Sequence, residues 1–490
     1  MHSLPADVLL VIFKIVFHES LNHVRSMEPL LRSNGEIPDA MFFGGDNSAI
    51  CWGNFDIHSS NFFPFALSSV CTCWRDIMST IPIFWTRLVI FVGKDETPLS
   101  DVRQYLEWSR GLIIDVYVTR REDDFGEAEK RVHDPHEYEY ARELVALMAP
   151  HFHRMKVVSF KLLQSSSLPR LLEDFYGSAP YLQTLDLRCE FDDGGPLDVD
   201  RKDRHPLVLP TLLMLSVDGR TLHRILSRFV AGVVLGIDED NDVHLDVSHF
   251  TPHHDGERVD LHDFLAAVTR IQHIRELRLR DMALTWSDPR PSLNPYVYVP
   301  LEYSRITLED LPAGAVQEFI HSTGFPDYES FEVIRCPVGA LTVPLLADKL
   351  SLRRITDGDP ADLAAFISTW EGRKLKLDRC PAAAVDAVLD ALTVAHDSSE
   401  GDAPRLGARF LRELHLTSCG EFSFARLRRA FEVRQAWAEA RGWTLELDRD
   451  WADTSPLTMA FVTGRRPALS RDDQEWHDKT DVVRWIPERS

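Results

Sequence analysis

Apolar and polar positions along this chain follow two kinds of pattern, and the first is confined to its beginning. From Val8 to Phe17 every position except Lys14 is apolar. Pro5 and Asp7 set up a helix start just before this run. Proline has no amide hydrogen to leave unbonded in a first turn, and a carboxylate suits the positive helix end. A surface helix shows one apolar stripe, so a helix that is apolar nearly all round has to be covered on more than one side. Ten residues are too few to span a bilayer. A second helical stretch is predicted over 65–78, where Leu67, Val70, Cys71, Trp74, Ile77 and Met78 recur at helical spacing. Between the two, residues 22–63 carry turn formers (Asn34-Gly35, Gly44-Gly45-Asp46-Asn47). They also carry Met41-Phe42-Phe43, Trp52 and Phe55, and so read as an inserted, partly packed excursion.

After residue 88 the pattern becomes repetitive. An apolar-x-x-apolar-x-apolar-x-x-apolar motif recurs at Met155/Val158/Phe160/Leu163, Ile274/Leu277/Leu279/Met282, Tyr303/Ile306/Leu308/Leu311 and Leu411/Leu414/Leu416/Cys419. Shorter forms start at Leu182, Leu212, Leu245, Phe331, Leu375 and Leu445. Each begins as a period-2 strand, and most run on into a helical stretch, expected at 168–176, 221–230, 261–271, 315–321, 360–370, 382–394 and 424–441. Units of 20–30 residues with one strand and one helix are the signature of a leucine-rich-repeat solenoid, in which stacked neighbours share one core. The region 340–405 breaks the rhythm, with a strand expected off-phase at 352–356. The fold class is therefore read as α/β: an N-terminal helical domain over 1–90 with an insertion at about 22–63, an irregular leucine-rich-repeat-like α/β solenoid over 91–450, and a C-terminal cap or partly disordered tail over 451–490. A mixed α/β domain without true repeats is the alternative.

The residues at the start of the chain resemble the F-box, in the form found in mushroom-type fungal proteins. The matching motifs are Leu4-Pro5, Leu9-x-x-Ile12-Phe13, Val70-Cys71-x-x-Trp74-Arg75 and Ile81-Pro82-x-x-Trp85, followed by 102–112. The insertion at 22–63 departs from that family, which joins the two halves by a short loop. What the resemblance implies is a substrate-recognition subunit of an SCF-type cullin-RING ubiquitin ligase. Its box would dock on the Skp-type adaptor, and through it on cullin and RING subunits, by Leu4, Pro5, Leu9, Ile12, Phe13, Val70 and Trp74. The repeat region would hold an unknown protein substrate. A repeat scaffold that binds the adaptor or other proteins without delivering a substrate is the alternative.

Composition narrows the partners. The net charge is −22, without long runs of Lys or Arg, which disfavours nucleic acid and anionic membrane surfaces. Seven scattered cysteines suit a reducing compartment. No basic segment precedes the first apolar run, so no signal peptide is expected, and the chain is expected in the cytoplasm or nucleus.

Catalytic, cofactor and metal sites are expected to be absent, since no Gly-x-Gly-x-x-Gly, Walker or Gly-x-Ser-x-Gly motif occurs. His18 and His23 stand five apart and cannot share a helix face as a zinc pair does. Cys71 is expected to be a buried hydrophobe, and Cys336, Cys380 and Cys419 are expected to point into the repeat core. The acidic stretch 191–205 reads as a solvated loop. Residues between the core positions of a strand point the other way. Asp186, Arg188, His244, Asp246, Arg278, Arg280, Lys376, Asp378 and His415 are therefore expected to line one exposed, substrate-binding face.

Overall fold

A computed structural model describes residues 4–25, 63–121, 135–171, 173–194, 207–223, 242–253, 258–268, 274–286, 305–323, 327–341, 343–356, 358–396, 405–440, 457–464, 469–480 and 482–486. The aromatic excursion, most of the helix expected at 221–230 and the short motif at Leu445 lie outside these residues. The chain forms two compact units, Met1–Phe191 with His205–Thr211 and Asp192–Arg204 with Leu212–Ser490. Both are α/β with parallel sheets. Among the described residues no helix is long and apolar enough to cross a membrane.

The first unit opens with α1 (Ala6–Arg25), then a single helical turn at Phe65–Ser68, α2 (Thr72–Ser79) and a 3-10 turn at Pro82–Trp85. Leu9, Phe13 and Phe17, four apart and therefore in line on one helix face, pack with Phe63, Met78, Phe84 and Trp85. Rings interlock there: Phe13 meets Trp74 edge-on at 5.1 Å between centroids, and Phe63 meets Phe84 at 5.1 Å. Next come β1 (Arg87–Phe91), α3 (Leu99–Trp108), β2 (Ile114–Thr119), α4 (Pro135–Met148), β3 (Met155–Gln164) and β4 (Thr184–Phe191). The four strands pair in chain order and all in parallel. The helix expected at 168–176 does not form. A bridge between Leu171 and Phe175 stands in its place. The Asp174 carboxylate accepts the Arg170 amide at 2.7 Å and the Arg142 guanidinium at 2.8 Å. An aspartate that bonds nearby backbone in this way competes with the helix.

Among its described residues the second unit stacks these parallel strands in one sheet: β5 (Met214–Asp218), β6 (Val243–Phe250), β7 (Ile274–Met282), β8 (Arg305–Glu309), β9 (Tyr328–Ile334), β10 (Leu345–Arg353), β11 (Lys374–Asp378), β12 (Glu413–Thr417), β13 (Met459–Thr463) and β14 (Val483–Ile486). Neighbours in chain order are neighbours in the sheet. Helices α5 (Leu261–Val268), α6 (Ala315–Thr323), α7 (Pro360–Ser368), α8 (Ala382–Ala391), α9 (Phe424–Ala440) and α10 (Arg471–Thr480) lie in the connections. The register explains the motif. Leu277 pairs with Ile306 and Leu279 with Leu308; Ile306 then pairs with Phe331 and Leu308 with Val333. The recurring apolar pair thus forms two straight rows, with each of these residues at most 1% exposed.

One expectation changes here. The region from 340 continues the ladder, with β10 beginning at Leu345 and placing Leu350 and Leu352 in the same rows as Phe331 and Val333. The tail beyond 451 adds β13 and β14 to the sheet, with α10 between them.

Candidate docking surfaces

The first surface is the side of α1 that the core does not use. Leu4, Val8, Val11, Ile12, Ile15 and Val16 follow i, i+3, i+4 spacing about opposite the buried line of Leu9, Phe13 and Phe17. All six are 38–56% exposed. The helix is apolar all round because two faces have different jobs: one fills the unit's own core, and the other faces out. Val70, just before α2, and Ile83, in the 3-10 turn, are 59% and 49% exposed. Large exposed apolar patches of this kind mark interaction sites.

Of the residues proposed from the family motif, Leu4, Pro5, Ile12 and Val70 are exposed, whereas Leu9 and Phe13 are 4% and 0% exposed and belong to the core. Trp74 is half-buried against Phe13. Val8, Val11, Ile15, Val16 and Ile83 take the exposed places. For the four on α1 the signal in the sequence was the complement of the buried line, read by taking every apolar position of the helix and subtracting i, i+4, i+8 from Leu9.

Cys71 is a correction. It is exposed, with extended backbone (φ −164°, ψ 164°), because it precedes the first turn of α2 and does not lie on its apolar face. Cys336 and Cys380 do point into the core, and Cys419 is partly exposed. Burial pushes the Cys336 thiol up to about 11 and that of Cys419 to about 12, so neither is a ready nucleophile. Among the described residues no group of three or more His, Cys, Asp or Glu could hold a metal ion.

The second surface is the sheet face away from the apolar rows. Alternation puts the expected residues there, but many of them are not exposed. Asp186, Arg278 and Asp378 are 5%, 8% and 7% exposed; Arg188, His244, Asp246, Arg280, Lys376 and His415 are half-buried. Strands about 4.8 Å apart bring opposite charges into contact, and the pairs shield one another. Arg278 holds Glu309 at 2.5 Å and Asp378 holds Arg353 at 2.9 Å across strands, while Asp186 holds Arg188 at 2.6 Å within one strand. His244 bonds Glu276 at 3.0 Å, and His415 stacks on Phe461 with centroids 4.7 Å apart. The acidic stretch after β4 likewise has a packed member: Asp192 accepts from Arg220, and both side chains are almost fully buried.

Glu332 sits in the middle of this face, 4% exposed, bonded by Ser351 Oγ at 3.2 Å and with Arg353 at 3.6 Å. Burial outweighs those partners and raises its carboxyl to about 7. A carboxyl whose folded value lies above its unfolded one binds a proton more tightly when folded. Its contribution is therefore fully present below pH 4.5 and is lost as pH rises through 7. Between pH 5 and pH 8 the protein should lose roughly 3 kcal/mol on this account. Glu332→Gln should flatten that part of the stability profile, as measured by urea titration at each pH, and an unchanged slope would refute the assignment.

Neither a family model nor a curated protein matches this chain.

Proposed function

We propose that the chain is a non-catalytic receptor of the SCF type. The α1–α2 segment serves as an F-box that docks on a Skp-type adaptor, and the strand-and-helix array is a leucine-rich-repeat-like solenoid that presents a target protein. The observation that carries this reading is the uncovered apolar face of α1, five residues with Leu4 just before them, on a helix whose opposite face is already packed. The motif resemblance at Leu4-Pro5, Val70-Cys71-x-x-Trp74-Arg75 and Ile81-Pro82-x-x-Trp85 names the partner. Such a protein acts by raising the effective concentration of target lysines beside the ubiquitin-charged enzyme. The second unit's consecutive parallel strands suit a one-dimensional array whose outer face varies from unit to unit.

Because protein–protein affinity concentrates in a few apolar anchors, Val11→Asp with Ile15→Asp should weaken adaptor binding at least about 100-fold, roughly 2.7 kcal/mol. Both side chains are 56% exposed, so circular dichroism and the thermal midpoint should be unchanged. Calorimetry with purified adaptor reads the result. Undiminished binding, or no binding by the unaltered chain, would remove the F-box assignment.

A further inference from the structure

Seven successive strands of the second unit, β6 to β12, each carry a non-glycine residue with positive φ within one residue of their end: His249 (57°), Asp281 (51°), Asp310 (52°), Arg335 (51°), Arg354 (52°), Arg379 (54°) and Ser418 (47°). The ladder imposes this turn. In its middle, the Arg335 amide donates to the Arg353 carbonyl at 3.0 Å, that of Arg354 to Asp378 at 2.8 Å, and that of Arg379 to Thr417 at 2.8 Å. Left-handed backbone costs a residue with a β-carbon about 1 kcal/mol or more, and glycine is the usual occupant. Three neighbouring turns nevertheless hold arginine. With strands about 4.8 Å apart, the three side chains leave the sheet along a line of about 10 Å.

Their surroundings neutralise the first of the three and leave the other two largely open. Glu309 and Asp310 take up Arg335, at 2.7 and 2.5 Å. Asp378 is engaged by Arg353 and stands 3.9 Å from Arg379. Glu413 takes Lys374 at 3.1 Å. Arg354 is exposed and makes no ion pair among the described residues, and the Arg379 side chain is 53% exposed. Further down the same strands Lys349 stands directly opposite Lys374 in register, a like-charge pairing that costs stability. All this lies in a chain of net charge −22.

We propose that Arg354 and Arg379, with Arg335 beside them, form the docking site for an extended Asp/Glu-rich segment of a partner protein. The guanidinium fork binds carboxylates in bidentate fashion, and a line of about 10 Å matches three residues of extended peptide. The proposal supplies the recognition chemistry for the target-binding half of the receptor reading, and rests on that reading only for the partner's being a target.

The test uses the full chain and two short fluorescein-labelled peptides, one alternating glutamate with glycine and one with glutamine in place of glutamate. Fluorescence anisotropy should show the glutamate peptide binding at least about tenfold tighter, and its binding should weaken as salt is raised from about 0.05 to about 0.3 M. Arg354→Glu with Arg379→Glu should reduce it to the level of the glutamine peptide. Arg275→Glu, an exposed reversal elsewhere on the sheet, should leave it unchanged. Equal affinity for the two peptides, retention of binding by the double reversal, or tighter binding of a single-stranded oligonucleotide of equal charge would each overturn the proposal. Adaptor binding by the same samples is a separate readout. If the peptide fails while the adaptor binds, the arginine site alone falls; if the adaptor fails while the peptide binds, the F-box reading alone falls.

Discussion

Trp85→Ala should destabilise the first unit by roughly 3–5 kcal/mol, the range for truncating a fully buried tryptophan. The indole is 0% exposed. It stacks on Tyr105 with centroids 5.1 Å apart and planes 13° from parallel, and it leans on Trp108 at 4.5 Å. Its Nε1–H donates to the Met78 carbonyl at 3.0 Å, tying the 3-10 turn back to the end of α2. Burial in this ring cluster also pushes the Tyr105 phenol up to about 12. The tryptophan therefore joins three elements, α2, the turn and α3, and its loss opens a cavity shared by all three. Trp85→Phe keeps much of the volume and drops the hydrogen bond, so it should cost less, about 1–2 kcal/mol beyond the repacking. Thermal unfolding followed by near-ultraviolet circular dichroism measures both. A midpoint unmoved by Trp85→Ala would show that the ring does not hold the junction.

That role could be anticipated from the sequence, where Trp85 closes the helical segment just before a strand. The same holds for the ladder, because period-2 apolar pairs in successive units must meet when parallel strands stack in register. Leu277, Ile306 and Phe331 do so. Two things were hidden. The first is the phase of β10. Its buried residues Leu345 and Ala347 obey alternation, but the next buried position is Leu350, three further on. A count in steps of two loses the strand there and finds only its end. The second is the state of the outward charges. Alternation states which side a residue leaves by, but not whether the next strand carries its counter-ion. Arg278 looked like an exposed contact until Glu309, one strand over and two residues further along, proved to cover it. Arg354 and Arg379 are exposed at the strand ends, beyond the last paired rows. A pattern based on strand interiors does not reach them.

The alternation rule is silent about Arg434, and the second large effect is expected there. On α9 the buried residues Phe424, Leu427, Phe431 and Ala438 form the core stripe, and position 434 falls on it, three after Phe431 and four before Ala438. Apolar spacing calls for a hydrophobe at that point, and the chain supplies an arginine that is 3% exposed. Its Nη1 donates to the Gly407 carbonyl at 2.9 Å, and its Nη2 to those of Ala408 at 2.7 Å and Arg409 at 3.2 Å. These carbonyls belong to a turn in which Ala408 has φ 49°, so the guanidinium holds the turn in a conformation that it would not choose alone. Burial lowers the arginine to about 10. That penalty on the cation applies throughout the range below pH 10, and the three charge-assisted bonds offset it, each being worth about 1.5–3 kcal/mol net. Arg434→Met keeps the length and the apolar stem but takes the arginine donor from three carbonyls, of which, among the described residues, only that of Ala408 keeps another, the Leu411 amide at 3.0 Å. The loss should be roughly 3 kcal/mol, read as a lower urea midpoint for the second unit, with amide exchange quickened first in the 405–411 turn. Faster exchange spread evenly over the whole sheet, or none at all, would mean that the arginine does not hold this turn.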